Sequence, residues 1–131
     1  MAEKRLNFLV VEDSEAMREF IVAALEDGFP NADVTGAESG FAALKALPGR
    51  EFDLVVTDIN MPNINGLELL RYLKQSAHYR GIPVVIISTE AAPADRERGL
   101  ALGAAEYLNK PFAPDSLHDV VRRALKAAGG A

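Results

Sequence analysis

The chain contains no cysteine, which excludes disulfides and thiolate metal sites. It has two histidines, His78 and His118. They stand far apart, leave little for a histidine-based hydrolase or a zinc site, and are expected on exposed helix surfaces. No apolar run approaches the roughly 20 residues of a membrane span. The opening "MAEKRLNF" lacks the apolar stretch of a secretory signal. These absences fit a cytoplasmic protein with no membrane insertion. Basic residues are also scarce: 14 Lys and Arg face 19 Asp and Glu, for a net charge of -5. No basic stripe is present, so a general nucleic-acid binder is disfavoured.

The rest of the composition, 49% hydrophobic and 25% charged over 131 residues, is that of an ordinary globular domain. Such a chain buries about two thirds of the surface its unfolded form exposes. With no repeat, low-complexity stretch or internal linker, residues 1–131 read as one domain, without room for an output domain.

Four short apolar runs stand out: "NFLVV" (7–11), "FDLVV" (52–56), "IPVVII" (82–87) and the weaker "AEYLN" (105–109). A fifth, "ADVTGA" (32–37), is more polar, as an edge strand would be. The first three are continuously apolar rather than alternating, which marks strands covered on both faces. Helical patterns lie between them. Met17, Phe20, Ile21, Ala24, Leu25 and Gly28 form one stripe of an amphipathic helix. Leu117, Val120, Val121, Ala124, Leu125 and Ala128 repeat the spacing behind Pro114, at a first helical position. "SGFAALKAL" (39–47), "GLELLRYLKQS" (66–76) and "PADRERGLALG" (93–103) supply three more helices. The last is the weakest, with Gly99 inside it at about 1 kcal/mol relative to alanine. "AAGGA" (127–131) reads as a frayed tail.

Strict βα alternation predicts an α/β fold: a doubly wound, five-stranded parallel sheet with right-handed crossovers, flanked by five helices. The order 2-1-3-4-5 sets strands 1 and 3 side by side at the switch point, where ligands bind at the strands' carboxyl ends. There the sequence places Glu12–Asp13, Asp58, Ser88–Thr89 and Lys110. Each alone has a plain alternative. Asp13 or Ser14 could cap a helix, Asp58 could open a turn, and Lys110 could be a solvated surface lysine. Their coincidence at four strand ends is harder to dismiss. Carboxylates gathered together repel and need compensation beyond one lysine. Hard oxygen donors, with a backbone carbonyl near Asn60, suit Mg²⁺, which holds a few carboxylates and keeps waters for itself and a phosphoryl group. Asp58 then becomes a candidate nucleophile toward a phosphoryl donor, with Ser88 and Lys110 on the phosphoryl oxygens.

"VVEDS", "VVTDINMPNINGLELL", "VVIISTEA" and "YLNKPF", in this order and spacing, resemble the receiver domain of bacterial two-component response regulators. The resemblance runs from Leu6 to about Lys126 and is nearest to the stand-alone, CheY-like chemotaxis type, with its flavodoxin-like topology. It implies that Asp58 is the phosphoacceptor for a sensor histidine kinase. Mg²⁺ would be held by Glu12, Asp13, Asp58 and the Asn60 backbone oxygen. Ser88 and Lys110 would serve the phosphoryl group, and Tyr107 would be the switch aromatic. Asn60 and Glu90 would tune dephosphorylation, and Lys110–Pro111 stands where receivers often have a cis peptide. Glu12 departs from the more usual aspartate, lengthening one arm to the metal, and Ser88 lacks the methyl of threonine.

The implied signal is a move of Ser88 toward the phosphoryl group, an inward turn of Tyr107, and a changed face of helix 4, strand 5 and helix 5. That face would meet a downstream target or phosphatase, the chain acting as a monomer and catalysing only its own phosphorylation and dephosphorylation. Rival readings remain. A haloacid-dehalogenase-like phosphatase would want a second acid where Asn60 stands. A pseudo-receiver would lack an acid or the lysine, and a flavin module would need a phosphate-cradling loop after strand 1.

Overall fold

A computed structural model describes residues 5–89 and 93–129, with only the backbone considered at Pro93 and Asp95. Five strands, β1 (Leu6–Val11), β2 (Ala32–Ala37), β3 (Leu54–Asp58), β4 (Val84–Ser88) and β5 (Glu106–Asn109), alternate with five helices. These are α1 (Glu15–Gly28), α2 (Gly40–Ala46), α3 (Gly66–Gln75), α4 (Pro93–Ala101) and α5 (Pro114–Gly129). All pairings are parallel, in the order β2-β1-β3-β4-β5. The predicted topology is the observed one.

The apolar strands are continuous because alternate residues serve two cores. Leu9, Val55, Val84 and Ile86 pack on the side that includes Leu69, Leu70 and Leu73 of α3. Phe8, Val10, Leu54, Val56, Val85 and Ile87 pack on the side of Ile21 and Leu25 of α1 and of Leu117 and Val121 of α5. A one-residue slip of any central strand would exchange these two sets of side chains.

Strand β3 runs two residues past "FDLVV", since the ladder continues through Thr57 and Asp58, which pairs with Ile87. An apolar count stops at the first polar side chain, but backbone pairing does not. Helix α5 reaches Gly129, so 127–129 are helical rather than the start of a frayed tail. Helix α4 ends at Ala101, two residues short of its pattern.

His118 corrects another expectation. It is 8% exposed, packed edge-on to Phe29, and its Nε2 lies 2.7 Å from the Ala24 carbonyl oxygen. A Cβ on Gly28 would come within 2.4 Å of this ring, so the missing side chain at the end of α1 makes room for it. His78 is exposed as expected, but in the turn after α3 rather than in a helix. A cavity of about 450 Å³ opens at the amino-terminal end of the sheet, lined by Leu6, Phe52, Pro83, Leu125 and Gly129 among others.

Candidate functional site

At the opposite end, the β1 strand delivers Glu12 and Asp13 into the loop before α1. Ser14 caps that helix, its hydroxyl accepting from the Met17 N–H at 3.3 Å. The plain alternative of a cap thus holds for Ser14 and leaves the two acids free for other work. Glu12 is 1% exposed, whereas Asp13 faces solvent. Glu12 Oε2 accepts from the Ser14 N–H at 3.0 Å.

Asp58 ends β3 and is 7% exposed. Its position is tightly bounded. The Gly66 N–H donates to the Ile59 carbonyl at 2.9 Å, and a Cβ on Gly66 would sit 2.1 Å from the Asp58 carbonyl oxygen. Only glycine lets the start of α3 approach the strand end so closely. The intervening turn places Asn63 at φ 67, a left-handed conformation that asparagine tolerates. Asn65 and Glu68 then close a reciprocal capping box, with bonds of 2.8 and 2.9 Å.

Lys110 reaches the same place from the end of β5. Its N–H donates to the Ser88 carbonyl at 2.8 Å, and its peptide bond to Pro111 is cis. Its ammonium nitrogen lies 2.5 Å from Glu12 Oε1 and 3.6 Å from Asp58 Oδ2. Ser88 is fully buried at the end of β4, in register with Asn109. Ligand oxygens of Glu12, Asp13 and Asp58 lie within 4.8 Å of one another. Three segments distant in sequence therefore meet at one point, with the Ser88 backbone tied to that of Lys110. Asn60 follows directly, exposed, and Glu90 lies outside the described residues.

The electrostatics follow from the crowding. Burial pushes the Asp58 carboxyl above the ordinary aspartate range. The Lys110 ammonium pulls it back, the Glu12 carboxylate raises it again, and the N–H groups of Ile59 and Asn60 lower it. Three carboxylates against one ammonium leave a formal charge of about -2, which a divalent cation would neutralise. The donors are all oxygens, so the residues present fit Mg²⁺ chemically.

Tyr107 stands differently from its expectation. The ring is 9% exposed and belongs to the core, so its inward position is already the one adopted. Gly99, buried in α4, packs over it: a Cβ there would meet Leu67, Ile86 and Tyr107 at 3.7 to 4.0 Å, ordinary contact distances. Helix α4 therefore has one well-seated point.

Sequence reasoning missed Arg18. Its guanidinium donates to the Glu12 carbonyl at 2.8 Å and fixes the loop that carries both acids. Gly36 leaves its stem room, since a Cβ there would be 3.2 Å from Arg18 Cδ.

The family model of the response regulator receiver domain matches residues 8–122. The chain belongs to this family. The receiver is 33% identical over 126 residues to a chemotaxis protein CheY homolog of Campylobacter jejuni, covering 95% of this chain and 96% of that one. It is 39% identical over 128 residues to a probable transcriptional regulatory protein of Picosynechococcus, covering 91% of this chain but 47% of that protein. It likewise spans 53% of the response regulator Rre1 of Synechocystis, about half the length of these two relatives. Among solved structures, chemotaxis protein CheY4 of Vibrio cholerae superposes with a TM-score of 0.86 at 30% identity, over 93% of this chain and all of that one. The receiver is thus a CheY-like module of two-component signalling, and none of its described helices is long and apolar enough to cross a membrane.

Proposed function

We propose that this receiver takes a phosphoryl group from a phosphohistidine of a sensor kinase onto Asp58, in the cytoplasm, and thereby changes its affinity for a partner. One observation carries the reading: the convergence of Asp58, Glu12, Asp13 and Lys110 on one point from three separate strand ends. An Asp58 carboxylate oxygen forms the new bond to phosphorus as the phosphorus–nitrogen bond breaks, the electron pair leaving with the imidazole. Asp13, Asp58, the Asn60 backbone oxygen and the Glu12 carboxylate would hold Mg²⁺. Bound there, the cation would lessen the charge repulsion between carboxylate and phosphoryl group. Lys110 binds one phosphoryl oxygen and the Ser88 hydroxyl another. Asn60 and Glu90 set how readily water reaches the acyl phosphate.

Signalling requires two states of similar energy, coupled by about 1–3 kcal/mol. Since Tyr107 is enclosed here, the alternative state is one with its ring turned out of the gap beside Gly99. The partner surface is the face of α4, β5 and α5, as for a chemotaxis target or a relay protein. The decisive experiment is incubation with acetyl phosphate and Mg²⁺, followed by intact-mass spectrometry. A labile adduct absent in Asp58→Asn is expected. Steady turnover of phosphate esters without an adduct would instead indicate a phosphatase.

A further inference from the structure

Glu12 has both of its carboxylate oxygens engaged by the chain itself. Oε2 accepts from the Ser14 N–H at 3.0 Å, and Oε1 accepts from Lys110 at 2.5 Å. Both side chains of the ion pair are nearly sealed from water, at 9% and 2% exposure, so solvent screens them little. Asp58 Oδ2, at 3.6 Å from the same ammonium, is beyond hydrogen-bond distance. The lysine therefore has a clear preference. The reach also depends on chain length: an aspartate at this position, one methylene (about 1.5 Å) shorter, would give up one of the two bonds.

We infer that Glu12 is a positioning residue for Lys110, holding its ammonium group away from Asp58 in the unphosphorylated receiver and releasing it when a phosphoryl group arrives. This rests on the phosphoacceptor reading and adds to it a device within the same site. A carboxylate locked to a lysine is a weaker nucleophile, because the ammonium stabilises the negative charge it must share with phosphorus. Glu12 removes that lock. Once the phosphoryl group is attached, its oxygens become the stronger attractor, and the ammonium transfers to them from Glu12 Oε1. No bond other than hydrogen bonds changes in this handover.

The same geometry predicts competition. A lysine seated on Glu12 opposes a cation brought to the cluster, and it does so through Glu12 rather than through Asp58. The test is Mg²⁺ titration by calorimetry on unphosphorylated wild type, Lys110→Met, Glu12→Gln and the double variant. Lys110→Met is expected to tighten Mg²⁺ binding about tenfold, a gain of 1.4 kcal/mol. In the Glu12→Gln background the gain shrinks to less than threefold. An equal gain in both backgrounds would overturn the inference, because the lysine would then act on Asp58 directly.

A second measurement needs no metal. Urea unfolding of the same four proteins should show coupled effects of the two substitutions, and additive effects would also refute the inference. If wild type bound no Mg²⁺ yet this coupling were present, the metal reading would fail while the handover geometry stood. Should Glu12→Gln fold poorly, Glu12→Asp replaces it, with the same loss of coupling expected.

Discussion

Gly66→Ala probes how firmly the fold fixes Asp58. The added Cβ would lie 2.1 Å from the Asp58 carbonyl oxygen, 2.8 Å from its carbonyl carbon and 2.9 Å from Ile59 Cα. A carbon and a carbonyl oxygen rest no closer than about 3.3 Å, so strand end and helix start must part by about 1 Å. Every atom met is backbone, so no rotamer change relieves the clash. Overpacking costs about 1–3 kcal/mol, and a clash with rigid backbone belongs at the upper end. Alanine returns up to about 1 kcal/mol of helix propensity, leaving a net loss of about 2 kcal/mol. With a urea slope of about 2 kcal/mol per molar, the midpoint should fall by about 1 M. Circular dichroism reads this directly. Gly99→Ala is the internal comparison: its Cβ meets nothing closer than 3.7 Å, and it should stabilise by about 0.5–1 kcal/mol. The steric reasoning would be refuted if Gly66→Ala unfolded within about 0.3 M of wild type, or if both alanines shifted the midpoint the same way.

Two further outcomes are expected. Because burial raises the Asp58 pKa, the folded chain binds that proton more tightly than the unfolded one. Ionised Asp58 therefore lowers stability above its folded pKa, and the penalty fades as pH falls through that value toward the unfolded one. Metal-free Asp58→Asn should unfold at higher urea than wild type at neutral pH, and the two should converge in acid; a gap independent of pH would contradict this. Gly28→Ala should destabilise by displacing His118 from the Ala24 carbonyl, and much of that loss should vanish in a His118→Ala background. Undiminished loss in the double variant, measured by thermal unfolding, would place the clash elsewhere.

Topology was readable because the apolar runs are short, unbroken and separated by helical stripes, and each strand end carries a residue of distinct chemistry. That ordering, together with the family resemblance of the motifs, pointed to Asp58, Lys110, Glu12 and Asp13 as neighbours at one end of the sheet. What escaped were relations between distant residues. His118 sits at a position that looks solvent-facing until Gly28 is placed opposite it. Tyr107 is enclosed because α4 packs over it at Gly99. Arg18 works through a backbone carbonyl, which has no letter in the sequence. The preference of Lys110 for Glu12 over Asp58 is likewise a matter of about 1 Å, between side chains 98 positions apart for the closer pair.

The hollow beneath the sheet has a practical consequence. Leu6 and Gly129, near the two limits of the described residues, both line it, so these two positions lie on the side remote from the acids. Strands of about five residues separate the two ends by roughly 17 Å. A dye or an immobilising tether attached beside Leu6 or Gly129 would thus stand clear of the acidic cluster. A reporter coupled there could follow docking at the other surfaces without touching the chemistry.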